Sequence, residues 1–79
     1  MQELRLYPNP SKNGGTINLS SNKEIQSFRI TSLSGQVLIE NQNLNETSTN
    51  IDLSLLNHGI YLVNATMNGK VKTVRLVID

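Results

Sequence analysis

Residues 60–78 read IYLVNATMNGKVKTVRLVI, and this stretch predicts a long β-hairpin. Asn68 and Gly69 give the turn signal, because a two-residue type I′ turn needs positive φ at both central positions and Asn-Gly tolerates this best. The alternate positions that face one way are Tyr61, Val63, Ala65 and Met67 before the turn, and Val74, Leu76 and Ile78 after it. This period of two on both sides of the turn indicates two antiparallel strands that share a buried face.

The same alternation recurs upstream in short segments that are separated by turn residues. These segments are ELRL at 3–6, TINLS at 16–20, IQSFRIT at 25–31 and QVLIE at 36–40. Residues 41–50 are polar, and we expect Leu44 to anchor them to the core. Ile51, Leu53 and Leu56 cannot share one strand face, which predicts a strand that ends in a tight turn. Seven short strands result, and they predict an all-β fold: a small Ig-like β-sandwich with mostly antiparallel pairing.

Length and composition limit the protein to a few classes. A chain of 79 residues forms one domain, so we expect residues 1–79 to be a single unit, cut from a longer secreted protein. Seven basic and six acidic residues leave a net charge of +1, which argues against a nucleic-acid partner. The sequence contains no cysteine and no apolar run long enough to span a membrane, so direct membrane insertion is not expected.

Few residues suggest chemistry. His58 is the only histidine, and its place beside Gly59 in a turn predicts a surface side chain rather than a base or a ligand. Asp52 precedes a turn, where a carboxylate accepts backbone N–H bonds. We therefore predict no catalytic residue, no metal site and no cofactor, and we expect the protein not to be an enzyme.

Two prolines stand near the start, in the segment LYPNP at residues 6–10. Pro8 and Pro10 lack the N–H that a strand ladder needs, and each biases the preceding residue toward extended backbone. Strand pairing should therefore stop at Tyr7. The segment is expected to be a rigid crossover between strands or a block to edge-to-edge association.

Four motifs in this order resemble the C-terminal sorting domain of proteins exported by type IX secretion. They are LYPNP at 6–10, SLSGQVL at 32–38, IDLSLLNHGIYLV at 51–63 and KVKTVRLVI at 70–78. The family's opening Tyr-Pro-Asn-Pro falls on Tyr7, Pro8, Asn9 and Pro10. Its hairpin glycine falls on Gly35, its Gly-x-Tyr block on Gly59 and Tyr61, and its terminal basic strand on Lys70, Lys72 and Arg75. Three positions depart from the usual pattern, namely Ser34, Gln36 and Arg75.

The resemblance implies a function without catalysis. A domain of this family is a sorting signal at the C-terminal end of a larger exported protein of the Bacteroidota type. It crosses the periplasm, is bound by secretion-machinery proteins (translocon, shuttle and a sortase-like protease), and is secreted or reaches the cell surface with the cargo fused to its N-terminal side. The residues of this chain that match the family motifs would form the recognition surface. The final strand would present positive charge and backbone groups free to form hydrogen bonds at its edge. Dimerisation through a strand edge stays open.

Two alternatives come from other classes. One is a carbohydrate-binding sandwich of a secreted enzyme, but such modules display aromatic platforms and this chain has no Trp, one Phe and two Tyr. The other is a structural spacer of Ig-like type. Retention on polysaccharide would favour the first of these, and failure to redirect a passenger protein would favour the second.

Overall fold

A computed structural model describes residues 4–79, and these residues form seven β-strands. The strands are β1 (Leu4–Tyr7), β2 (Thr16–Ile25), β3 (Ser27–Thr31), β4 (Val37–Asn41), β5 (Glu46–Asp52), β6 (Gly59–Met67) and β7 (Lys70–Ile78). Their number agrees with the number expected from the alternating segments. Residues 1–3, at the start of the predicted domain, lie outside the described range.

The strands form two antiparallel sheets that face each other. The first has the order β1-β2-β5 and the second the order β4-β3-β6-β7. Each sheet is apolar on one face only, so each covers the other's inner face. The predicted small all-β sandwich is therefore confirmed.

The core lies between the sheets and is built from the inward positions of every long strand. Leu19, Ile30 and Leu76 are completely inaccessible to solvent. The other buried apolar residues are Ile17, Ile25, Phe28, Ile51, Leu53, Leu56, Val63, Ala65, Met67 and Ile78. Leu44 packs against this core, as its isolated position in a polar segment predicted. At about 25 cal/mol per Å² of buried apolar surface, these side chains supply the main driving force for folding.

Both turns predicted from Gly-containing pairs are present. Met67 pairs with Lys70 across the β6–β7 turn, where φ is +52° at Asn68 and +74° at Gly69. These two angles are the positive φ values that a type I′ turn requires. In the β3–β4 hairpin, the N–H of Gly35 donates to the carbonyl of Ser32 at 3.0 Å, and Gly35 has φ +98°.

Residues 46–50 differ from the expectation for a polar connecting segment. Together with Ile51 and Asp52 they form β5, which pairs with β2 through registers such as Asn18↔Asn50 and Ile17↔Ile51. Threonine alternates with other polar residues in this segment, so the preference of β-branched side chains for strands, rather than a hydrophobic pattern, favours β structure here. After Asp52 the predicted tight turn follows: the Asp52 carboxylate accepts from the Ser54 N–H at 2.9 Å, and Leu53 and Leu56 are both buried.

Within residues 4–79, no helix is long and apolar enough to cross a membrane.

Candidate functional site

The segment Pro8–Pro10 carries the chain from one sheet to the other. β1 ends at Tyr7, opposite Asn18 of the first sheet, as the prolines predicted. By Ser11 the chain lies beside Ile78 of the second sheet, in a parallel bridge. The Tyr7–Pro8 and Asn9–Pro10 peptide bonds are both cis. The crossover predicted from the prolines is therefore present, and it ends on the last strand.

Asn9 binds the free edge of β7 with its side-chain amide. Its Nδ2 donates to the carbonyl oxygen of Arg75 at 2.7 Å, and its Oδ1 accepts from the N–H of Val77 at 3.0 Å. A neighbouring strand would satisfy the same two backbone groups with its own C=O and N–H. The side-chain amide of Asn9 thus replaces a peptide group, at a point where the adjacent prolines have no N–H to offer.

Ser11 continues this pairing, although nothing in the local sequence predicted it. Its N–H donates to the carbonyl of Val77 at 2.8 Å, and its own carbonyl accepts from the N–H of Asp79 at 2.9 Å. Ser11 is also buried, which is uncommon for a serine next to a polar loop. The expectation that the final strand presents a free edge is therefore wrong for residues 75–79, because Asn9 and Ser11 already occupy it.

Gly59 and Tyr61 lie together at the start of β6. A Cβ on Gly59 would come within 3.8 Å of the Tyr61 ring, and Gly59 has φ +150°, which side chains rarely adopt. The Tyr61 hydroxyl donates to the carbonyl of Asn57 at 2.7 Å. A tyrosine that bonds backward to the preceding loop in this way fixes a corner of a β-sandwich. The Gly-x-Tyr pair therefore sets the shape of the loop that enters β6.

Most of the residues carried over from the family motifs lie at one end of the sandwich, where β6 begins and β7 ends. We call this the motif end and define it by Tyr7–Pro10, Gly35, Gly59, Tyr61 and Arg75. Asn9 contacts Arg75 directly, and Tyr61 pairs with Leu76. The turn that holds Gly35 follows Thr31, which pairs with Leu62 near the start of β6. Segments that are far apart in sequence thus lie at one end of the sandwich.

Lys70 and Lys72 lie away from this end. They pair with Met67 and Ala65, next to the Asn68-Gly69 turn. Five positions along a strand separate Lys70 from Arg75, which is about 16 Å at 3.3 Å per residue. The structure therefore does not bring together the basic residues that the final motif grouped, and only Arg75 reaches the motif end.

Exposed apolar side chains accompany the motifs. Tyr7 is 54% exposed, and Leu33 in the β3–β4 turn is 64% exposed. Ile60, next to Gly59, is also exposed. Each of these side chains is an apolar group that a bound protein would remove from water.

The described residues hold little that suggests chemistry. His58 is exposed, as its turn position predicted. Across residues 4–79, no three side chains of the His, Asp or Glu type come together as metal ligands would. The feature that remains for a functional role is the motif end, with its exposed loops and the backbone contacts that hold them.

Comparison with known proteins agrees with this picture. The family model of the secretion system C-terminal sorting domain matches residues 5–79, which is essentially the whole chain. The chain belongs to this family. A comparison with curated proteins gives no significant match. The sorting domains of this family are signals for type IX secretion, interact with its machinery, are attached to an N-terminal cargo, and direct it across the outer membrane.

Proposed function

We propose that this sorting domain is a non-catalytic export signal that the type IX machinery reads through the motif end. The observation that carries the proposal is that three separated motifs lie at one end of the sandwich, through the contact of Asn9 with Arg75 and the pairing of Tyr61 with Leu76. The β6–β7 hairpin places Gly59 and Tyr61 beside the end of β7, and Asn9 adds the first motif to the same end.

Rigidity of the motif end supports this role. A receptor that accepts many unrelated cargo proteins can rely only on features of the signal itself. A surface that is already ordered binds without the entropic cost of ordering loops. Asn9 and Ser11 hold the proline segment against β7, and the hydrogen bond from Tyr61 holds the loop before β6. Each contact keeps an exposed loop in one conformation.

The chemistry of the motif end also suits a protein receptor. Tyr7, Leu33 and Ile60 offer apolar surface that binding would remove from water, and Arg75 adds a positive charge. Aromatic and arginine side chains are the residue types that most often dominate protein interfaces. Lys70 and Lys72 have a different part in this proposal, since lysines near the start of an edge strand discourage association with other strands.

Membership in the family supports the following proposed route. The domain is the C-terminal part of a longer exported protein, passes through the periplasm, and is bound there by shuttle and translocon components. A sortase-like protease at the surface then removes it from the cargo. The domain itself is a substrate in these steps and catalyses none of them.

The test is export of a reporter in a bacterium that has a type IX system. The reporter carries a periplasmic signal peptide and is produced with the domain, without it, and with a domain whose core is disrupted by Leu76→Asp. We expect only the reporter with the folded domain to reach the surface or the medium. Equal export without the domain, or with the Leu76→Asp domain, would contradict the proposal.

Removal of residues 70–79 is a less informative variant. Leu76 and Ile78 belong to the core, so the truncation would unfold the domain and would not test recognition separately. Surface substitutions at the motif end are therefore needed.

A further inference from the structure

The two sheets have four outer strands, and three of their edges are protected against pairing. β7 is covered by Asn9 and Ser11 along its second half and has lysines in its first half. β1 has four residues and is followed directly by Pro8. β4 has five residues, and its pairing with β3 is irregular near Thr31. Such features are the usual means by which proteins block edge-to-edge association.

The edge of β5 is less protected, because its pairing with β2 shifts register only at its first residue, Glu46, and is regular from Ser48 to Asp52. Its seven residues read ETSTNID, and the stretch Thr47–Ile51 has no charge and no proline. Among the described residues, β2 is the only strand that pairs with β5. An open edge of this length, rich in β-branched threonine, is a template for another extended chain.

A groove lies beside this edge, on the side where the two sheets are open. It has a volume of about 510 Å³ and runs between β4 and β5. Phe28, Ile39 and Ile51 line it with apolar surface that belongs to the core margin. The proline segment covers β7 on the opposite side of the second sheet, so the sandwich is closed there and open here.

Leu55 stands at one end of the groove and is 89% exposed. Its neighbours Leu53 and Leu56 are both buried and anchor the turn. The turn therefore does not need a third leucine for its packing. Burial of this exposed leucine by a partner would therefore favour binding.

The charged residues that line the groove, Glu40 and Asp52, are both acidic. Arg29 lies opposite Glu40 on β3, whereas Asp52 lies opposite Thr16 and faces no basic residue across its sheet. The Asp52 carboxylate caps the following turn by accepting from the Ser54 N–H. An occupant with positive side chains would therefore be complementary to the groove.

We propose that the groove binds an extended peptide segment with alternating basic and apolar side chains, which adds a strand to the edge of β5. Backbone hydrogen bonds to β5 supply pairing, apolar side chains contact Ile39, Ile51 and Leu55, and basic side chains approach Glu40 and Asp52. The inference rests on the fold and is independent of the proposed export function, so either can fail alone.

The probe is a nine-residue peptide of alternating lysine and valine, titrated into the ¹⁵N-labelled domain and followed by NMR. We expect amide shift changes concentrated in residues 37–41, 46–52 and 54–55, with weaker binding at higher salt. A peptide with glutamate in place of lysine should bind less tightly. Shift changes confined to β7, no saturable binding, or equal affinity for both peptides would overturn the proposal.

Two variants and a matched control refine the test. Leu55→Ser should weaken binding by roughly tenfold, because it removes apolar contact. The double variant Glu40→Gln/Asp52→Asn should weaken it by about threefold to tenfold and reduce its salt dependence. Leu33→Ser is the control, since Leu33 is also a highly exposed leucine in a turn but lies outside the groove. Equal affinity of Leu55→Ser and Leu33→Ser, with unchanged spectra outside the groove, would contradict the inference.

Growth of particle mass without peptide, measured by light scattering, would show that a second copy of the chain is the occupant and would also overturn the proposal.

Discussion

Asn9 contacts Arg75 across 66 positions of sequence, with a distance of 2.7 Å between the Asn9 Nδ2 and the Arg75 carbonyl oxygen. Since the Asn9 Oδ1 also accepts from Val77, one side chain satisfies both backbone groups that β7 exposes at this point. The contact joins the first motif to the last, and the prolines on either side of Asn9 limit how the segment can move. Asn9 is therefore a positioning residue for the motif end.

Asn9→Asp should destabilise the fold. The carboxylate keeps the acceptor for the Val77 N–H but places a second negative oxygen against the Arg75 carbonyl. We expect a loss of about 1–3 kcal/mol in the free energy of unfolding at neutral pH, measured by urea denaturation. Asn43→Asp, at an exposed loop position, is the control for the added charge.

The same variant gives a pH signature. In the folded state the unfavourable contact disfavours the charged carboxylate, so protonation favours folding. Relative to Asn43→Asp, the stability of Asn9→Asp should recover as the pH falls toward about 4. A loss that is identical at both pH values, or no loss at all, would show that the Asn9 amide is not needed to hold the segment.

Amide hydrogen exchange should distinguish the two halves of the β7 edge. The Val77 N–H is bonded to Asn9, whereas alternation along the strand places the Val71 and Thr73 N–H groups on the same edge beyond the proline segment. We expect Val77 to exchange more slowly than Val71 and Thr73 by on the order of tenfold or more.

Substitution of Asn9 by alanine should remove this difference while leaving the amides bonded to β6 protected. Equal exchange rates for Val77 and Val71 in the unmodified domain would be inconsistent with a covered edge.

Tyr61→Phe should cost about 1 kcal/mol of stability, because it removes the hydrogen bond to the Asn57 carbonyl and keeps the ring. Tyr7→Phe is the matched control. Its hydroxyl belongs to a side chain that is 54% exposed, so we expect a change within about 0.5 kcal/mol. Thermal or urea unfolding of both variants measures the difference, and equal stabilities would argue against a structural role for the Tyr61 hydroxyl.

Local patterns were sufficient to predict much of the fold. The Asn68-Gly69 turn, the inward face with Val63 and Leu76, and the capping role of Asp52 each depend on residues within a few positions of one another. Short-range periodicity and turn chemistry report such features directly. For the same reason the break after Tyr7 could be predicted from Pro8.

Long-range pairing was less predictable. Nothing near Asn9 or Ser11 in the sequence indicates that they lie beside β7, because that contact depends on how the two sheets pack. The threonine-rich strand β5 also has no apolar alternation over its first residues, so a polar loop was the simpler interpretation. The resemblance to the sorting family grouped Lys70, Lys72 and Arg75 by sequence, whereas the strand direction separates them.

The most direct test of the proposed recognition surface compares two double variants in the reporter export assay. Tyr7→Ser/Arg75→Gln changes the motif end, and Val71→Ser/Lys70→Gln removes the same kinds of group, one exposed apolar side chain and one positive charge, at the other end of β7. Urea denaturation first checks that both variant domains are folded. We then expect Tyr7→Ser/Arg75→Gln to lower export by at least about tenfold and Val71→Ser/Lys70→Gln to leave export normal. Equal export of the two variants, or a loss only in the second, would contradict recognition through the motif end.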